Sequence, residues 1–158
     1  GAISHKDSMG NAGDIKPGEW QLMSAGTGVR HSEINQYDED VHLFQIWIIP
    51  NVKDAEPTYQ QIQLDPKDAP NQWHLIAGPN ENAPMHLRQD AEVKTAVLEA
   101  GQSLDVNKTQ TFNYIHVMEG EVEIAGQIVK TGDALMFDEN STVKANQNTQ
   151  MIWFDLPR

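Results

Sequence analysis

The nine residues VKTGDALMF (residues 129–137) have a near copy, IKPGEWQLM, at residues 15–23. In both stretches a lysine precedes a glycine, an acidic residue follows the glycine, and an apolar run comes next. Upstream, the segment that begins GAISH at Gly1 resembles the one that begins GEVEI at Gly120. Recurrence of one hairpin-like pattern in both halves indicates an internal repeat. The sequence therefore predicts two tandem copies of one β unit.

Strand-like runs dominate the rest of the chain, and helical periodicity is scarce. Short stretches of β-branched and aromatic residues alternate with Gly, Pro, Asn and Asp, which favours an antiparallel sandwich or barrel. Residues 121–129 (EVEIAGQIV) predict a hairpin that turns at Ala125 and Gly126. Two prolines and several charges interrupt the strand pattern at residues 50–59. We therefore predict an all-β fold of two domains, residues 1–55 and 56–158.

Composition narrows the classes of function. The 158-residue chain has a net charge of −12 and no cysteine. Strong acidity argues against a nucleic-acid backbone or an anionic membrane surface as a partner, since both attract basic residues. Without cysteine, disulfides and thiolate ligands are excluded, so a metal would be held by His, Asp or Glu. No secretory signal is visible in the sequence, and we expect a cytoplasmic protein.

His31 and Glu33 are the first candidate site residues. They follow the small-residue run SAGTG (residues 24–28) and stand two positions apart, so on a strand both side chains point to one side. An imidazole and a carboxylate directed into a barrel would suit Fe(II), Mn, Ni or Zn. The alternative is an exposed polar strand end, and spacing alone leaves both interpretations open.

Gln45 is the second candidate. Residues 41–49 (VHLFQIWII) predict a strand on which Gln45 shares a face with Leu43 and Trp47. A glutamine among large apolar side chains could line a substrate cavity and hydrogen-bond to a metal ligand. It could equally be a core amide with its hydrogen bonds satisfied.

Four motifs together resemble the pirin family, whose members are bicupins, tandem β-barrels of the cupin type. They are DSMGN (residues 7–11), PGEWQLMSAGTGVRHSEIN (17–35), LFQIWI (43–48) and the closing WFDLP (153–157). The resemblance implies a metal in the first barrel, typically iron, held by three histidines and a glutamate. His31 and Glu33 match the last two of these ligands. The upstream H-x-H pair has no counterpart, so we expect the chain to begin within its first barrel, and His5 matches no ligand of the family.

This resemblance implies a dioxygenase that opens a flavonol such as quercetin with O2 in the intact protein, and we expect the activity to be impaired in this chain. Fe(II) is the expected metal, with Ni, Mn or Zn as alternatives, and Glu33 is the expected base as well as a ligand. The competing interpretation is a non-enzymatic regulatory or protein-binding cupin. An incomplete barrel leaves strand edges unpaired, so a homodimer or strand-swapped dimer is a further expectation.

Overall fold

The computed structural model describes all residues from Gly1 to Arg158, and their contacts divide the chain into Gly1–Asp65 and Pro66–Arg158. These two units are called the first and the second unit below. The division falls after residue 65 because residues 58–63 pair with the strand at residues 19–24 of the first unit. The boundary of 55/56 expected from the sequence remains a prediction.

The first unit contains five strands in two sheets. They are β1 (Ile3–Asp7), β2 (Ala12–Ile15), β3 (Glu19–Ser24), β4 (His31–Ile34) and β5 (Thr58–Gln63). One sheet has the order β2-β1-β4, and β3 pairs with β5 in the other; all pairs are antiparallel. The only buried residues of this unit are His5 and Asp7. Its interior is therefore polar at the point where it is most enclosed.

The second unit opens with a short 3-10 helix, Pro66–Asp68. Ten strands follow: β6 (His74–Gly78), β7 (Met85–His86), β8 (Glu92–Leu98), β9 (Ser103–Val106), β10 (Phe112–Glu119), β11 (Glu121–Ile124), β12 (Gln127–Lys130), β13 (Ala134–Phe137), β14 (Ser141–Ala145) and β15 (Thr149–Leu156). Their two sheets have the orders β13-β10-β15-β8-β6-β7 and β12-β11-β14-β9. The hairpin turn at Ala125 and Gly126 is confirmed, with positive φ angles of 50° and 75°.

An apolar core fills the second unit. Side chains from both sheets contribute, among them Leu98, Ile115, Val143 and Met151, all 0% exposed. Burying one such side chain stabilises a fold by about 1.5–3 kcal/mol. This unit therefore supplies most of the hydrophobic stabilisation in the chain.

The repeat seen in the sequence is present in the topology. Strands β2-β1-β4 of the first unit have the same order as β12-β11-β14 of the second. The pair Ile3–Ile15 on β1 and β2 corresponds to Val122–Val129 on β11 and β12. The prediction of an all-β chain with two tandem cupin-type units is confirmed.

The two copies of the quoted motif also form the same turn. Backbone N–H groups of Glu19 and Asp133 donate to the carbonyls of Lys16 and Lys130, at 3.0 and 2.8 Å. In the opposite direction, the backbone N–H of each lysine donates to the carboxylate of the acidic residue. The lysine-glycine-acid pattern thus encodes one turn twice.

The predicted strand at residues 41–49 is wrong, because these residues join no sheet. The alternation of apolar and polar residues specifies which side of an extended segment is apolar, but a β-strand also needs a neighbouring strand with which to form hydrogen bonds. Trp47 is 86% exposed, and Ile49 is 83% exposed. The segment from 43 to 52 therefore presents apolar side chains at the surface.

The structure contains no helix with the length and apolar character of a membrane span.

Candidate metal centre

Both predicted ligands lie on β4. His31 and Glu33 occupy alternate positions, so their side chains lie on one face of the sheet, and both residues are exposed. The strand is short because the glycines at 26 and 28, both with positive φ, precede it and break the extended backbone. The expectation that both side chains point to one side of a strand is confirmed.

Strand β1 brings two more titratable side chains to the same face. In the antiparallel register, His5 lies opposite Glu33 and Asp7 lies opposite His31. His5 Nδ1 is 3.8 Å from Glu33 Oε1, and the His5 and His31 rings stack with their centroids 5.8 Å apart. The ring of Tyr59, on β5, also packs against His5, and the centroids of these two rings are 4.8 Å apart.

Asp7 is an acceptor of four hydrogen bonds. The N–H groups of Met9 and Asn11 donate to Oδ1, and the Asn11 amide and His5 Nε2 donate to Oδ2, at 2.8 to 3.2 Å. Burial by itself would raise the pKa of Asp7, but the hydrogen bonds from Asn11, His5 and the backbone outweigh it and lower that pKa to about 2. Asp7 is thus an anion at neutral pH.

Tyr59 stays protonated beside this group. Burial raises its pKa, and the negative charges of Asp7, Glu19 and Glu33 raise it further. Its hydroxyl donates to Gln61 Oε1 at 2.7 Å. Tyr59 therefore adds no charge to the group formed by His5, Asp7, His31 and Glu33.

The donor set fits two positions of a coordination sphere. His31 and Glu33 supply an imidazole and a carboxylate that are both accessible, which suits a divalent transition metal. His5 does not extend the set, because Asp7 and Gln21 already contact its two ring nitrogens. No three His, Asp or Glu side chains of the chain come together in an arrangement that could hold an ion.

Gln45 is not brought to this face by any strand. It is exposed and lies in the segment without a sheet partner. Its role in a substrate cavity stays a prediction.

Sequence reasoning missed His5, Asp7, Gln21 and Tyr59. A usable signal was present: His5 and Asp7 have the same two-residue spacing as His31 and Glu33. Gln21 and Tyr59 had no such signal, because only the folding of β3 and β5 brings them to the histidine.

Known proteins share both parts of the chain. The family model described as Pirin matches residues 1–48, and the Quercetinase C-terminal cupin domain matches residues 75–156. Quercetin 2,3-dioxygenase of Escherichia coli is 36% identical over 162 residues, which cover 99% of this chain and 69% of that protein. A putative quercetin 2,3-dioxygenase of Zymomonas mobilis is 33% identical, covering 96% of this chain and 67% of its own length.

A solved structure shows the same fold. The bacterial pirin YhhW of Escherichia coli, crystallised in complex with nickel(II), superposes with a TM-score of 0.91 at 32% identity, covering 99% of this chain and 69% of its own. Two cupin-type units in tandem define a bicupin. This chain belongs to the pirin family of bicupins.

Proposed function

We propose that this protein is a metal-dependent dioxygenase that opens a flavonol such as quercetin with O2. The observation that carries the proposal is the pair His31 and Glu33, exposed on one face of β4 and backed by a buried histidine. The names of the relatives, quercetin 2,3-dioxygenase among them, support this substrate class.

His31 and Glu33 would hold two positions of the metal, Fe(II) first, with Ni, Mn or Zn as alternatives. When bound, a divalent metal supplies a Lewis acid for the 3-hydroxyl oxygen of the flavonol and promotes reaction with O2. The Glu33 side chain, 26% exposed, is accessible to an arriving substrate. Its carboxylate would take the 3-hydroxyl proton, which makes Glu33 the candidate base.

Metal content tests the ligand assignment. The chain is dialysed with Fe(II) under anaerobic conditions, and bound iron is measured by elemental mass spectrometry beside a His31→Ala variant. Iron that is bound by the wild type and lost in the variant supports His31 as a ligand. Equal iron in both proteins contradicts it.

Substrate turnover tests the reaction. Loss of quercetin absorbance and consumption of O2 are followed with and without added iron. Iron-dependent loss of both supports the dioxygenase, and no turnover with iron bound argues for the second candidate below.

A non-enzymatic, protein-binding role is that second candidate. The apolar side chains exposed between residues 43 and 52 favour it, because such a surface is typical of contacts with another protein. The members more than one-third exposed are Leu43, Phe44, Ile46, Trp47, Ile49 and Val52. A homodimer would use the same kind of contact. Sedimentation of the wild type beside Trp47→Ser tests for it, since a dimer that depends on this surface dissociates in the variant.

A further inference from the structure

The segment HKDSMGN (residues 5–11) ends β1 in a turn that is organised around one carboxylate. Asp7 accepts the hydrogen bonds of Met9 and Asn11, and Gly10 has the positive φ of 96° that closes the turn. The corresponding β11–β12 turn of the second unit is a two-residue hairpin at Ala125 and Gly126. The first unit therefore carries extra chain at this position, and that chain surrounds Asp7.

The turn also fixes the ring of His5. The side chains of His5 and Asp7 are both 0% exposed, and His5 Nε2 lies 3.2 Å from Asp7 Oδ2. A carboxylate can only accept, so Nε2 is the donor in this contact, and Nδ1 is the nitrogen on the other side of the ring. The Gln21 amide nitrogen of β3 lies 2.9 Å from that Nδ1. Two hydrogen bonds thus hold the ring at opposite nitrogens.

The ring held in this way lies against both candidate ligands. It stacks on His31, and its Nδ1 is 3.8 Å from Glu33. His31 and Glu33 are themselves exposed residues, whereas His5 beside them is buried. His5 is the buried surface on which they rest.

The second unit shows that the fold does not require polar residues here. By the shared register, His5 corresponds to Ile124 and Glu33 to Val143, a cross-strand pair that is 0% exposed. Gln21 corresponds in the repeated motif to Leu135, which packs against the apolar core. Three apolar side chains of one unit are thus replaced by a connected polar group in the other.

We propose that His5 is a positioning residue, held by Asp7 and Gln21, that orients His31 and Glu33 toward a bound cation. The inference rests on the proposed function for the ligand roles of His31 and Glu33. It assigns a role to the HKDSMGN segment, which contributes no ligand of its own. Residues that orient metal ligands typically change metal affinity by about 10- to 100-fold when they are replaced.

Asp7→Asn is the first test variant. Asparagine keeps the size of the side chain and one acceptor oxygen, but its amide nitrogen, in the place of Oδ2, can accept from neither Asn11 nor His5. Asp14→Asn is the matched control, since Asp14 lies on the neighbouring strand and accepts from Ser4 and Tyr37 rather than from His5. Gln21→Leu is the second variant, and it installs the residue that the second unit has at this place.

Two readouts are taken on the full 158-residue chain. Calorimetric titration with Ni(II) measures affinity for wild type, the three variants and His31→Ala. In the metal-free protein, the nuclear Overhauser effect between the His5 and His31 rings reports their stacking. We expect Asp7→Asn and Gln21→Leu to weaken Ni(II) binding about tenfold and to lose the ring-to-ring signal, and Asp14→Asn to do neither.

The outcomes test two claims separately: the positioning role of His5 and the ligand role of His31. Affinity within twofold of wild type and an intact ring signal in both variants would overturn the positioning role. If His31→Ala binds Ni(II) as the wild type does, the ligand assignment of the proposed function fails. The role of His5 in orienting ligands toward a cation then fails with it, whereas unchanged Ni(II) affinity in Asp7→Asn and Gln21→Leu beside a weakened His31→Ala overturns the positioning role alone. Should Asp7→Asn fail to fold, Gln21→Leu gives both readouts.

Discussion

Glu33 and His5 are direct cross-strand partners on β4 and β1, with Glu33 Oε1 3.8 Å from His5 Nδ1. One residue of the pair is exposed and the other is buried, so the pair joins the accessible surface to the interior of the first unit. The Glu33 carboxylate therefore lies beside a ring that buried hydrogen bonds hold in place.

Replacement of Glu33 tests its role as the base. We expect Glu33→Ala and Glu33→Gln to lower quercetin turnover about 100-fold or more, because a lost general base costs that much. Oxygen consumption with added iron is the measurement. Glu39→Ala is the control, since the Glu39 side chain is 82% exposed and pairs only with the N-terminal amine. Turnover retained in Glu33→Ala would falsify the assignment.

Acid should weaken the β1 region through Asp7. Its pKa is lowered from 3.8 to about 2, so the folded state favours the carboxylate. The stability that this group contributes is therefore present above pH 3.8 and is lost as the pH falls toward 2. We expect the protection factors of the β1 amides, which correct for the pH dependence of intrinsic exchange, to fall over this range in the wild type and to fall less steeply in Asp7→Asn. Equal slopes in the two proteins would contradict the prediction.

Asn113 is a buried polar residue whose loss should destabilise the second unit. It is 0% exposed, accepts from Trp153 Nε1 at 3.0 Å and donates to the Glu139 carbonyl at 3.0 Å. Asn113→Ala leaves both partners unsatisfied, so we expect a loss of about 2 kcal/mol or more in urea unfolding. Asn146→Ala, at an exposed position, should change stability by less than about 0.5 kcal/mol. Similar effects at both sites would show that the buried hydrogen bonds contribute little.

Two glycines separate backbone strain from steric conflict. Gly101 and Gly120 both have positive φ, 85° and 101°. A Cβ at Gly101 meets nothing within 4 Å, whereas one at Gly120 would collide with Asn148 and Thr149. We expect Gly101→Ala to cost about 1 kcal/mol from strain alone. Gly120→Ala should cost a further 1–3 kcal/mol or so from overpacking. Thermal unfolding of both variants is the measurement, and equal midpoints would refute the difference.

Patterns that depend on neighbouring residues were predictable from the sequence. Strands β8, β10 and β15 coincide with apolar runs, and the turn at Ala125 and Gly126 was evident from its composition. His31 and Glu33 were placed on one face by their spacing alone. In each case the information lies within a few residues of the chain.

Features that depend on distant contacts were not predictable. The segment containing Trp47 has the alternation of a strand, yet the structure gives it no ladder. His5 acquires its surroundings from Gln21 and Tyr59, 16 and 54 positions away, and no periodicity encodes that meeting. The resemblance likewise left His5 without a role, because it concerned ligands and not the residues around them.

The lysine-glycine-acid turn and the strand order are the same in both units. The residues that face the interior differ between them. Ile124 and Val143 in one copy stand where His5 and Glu33 stand in the other. A random substitution in the second unit should therefore register first as a change in melting behaviour. In the first unit, where no apolar residue is buried, the same substitution should change melting less, so an effect on the proposed metal site is observed in a protein that still folds. A mutational screen for folded protein would then identify mainly positions in the second unit, and a screen for metal binding would identify mainly positions in the first.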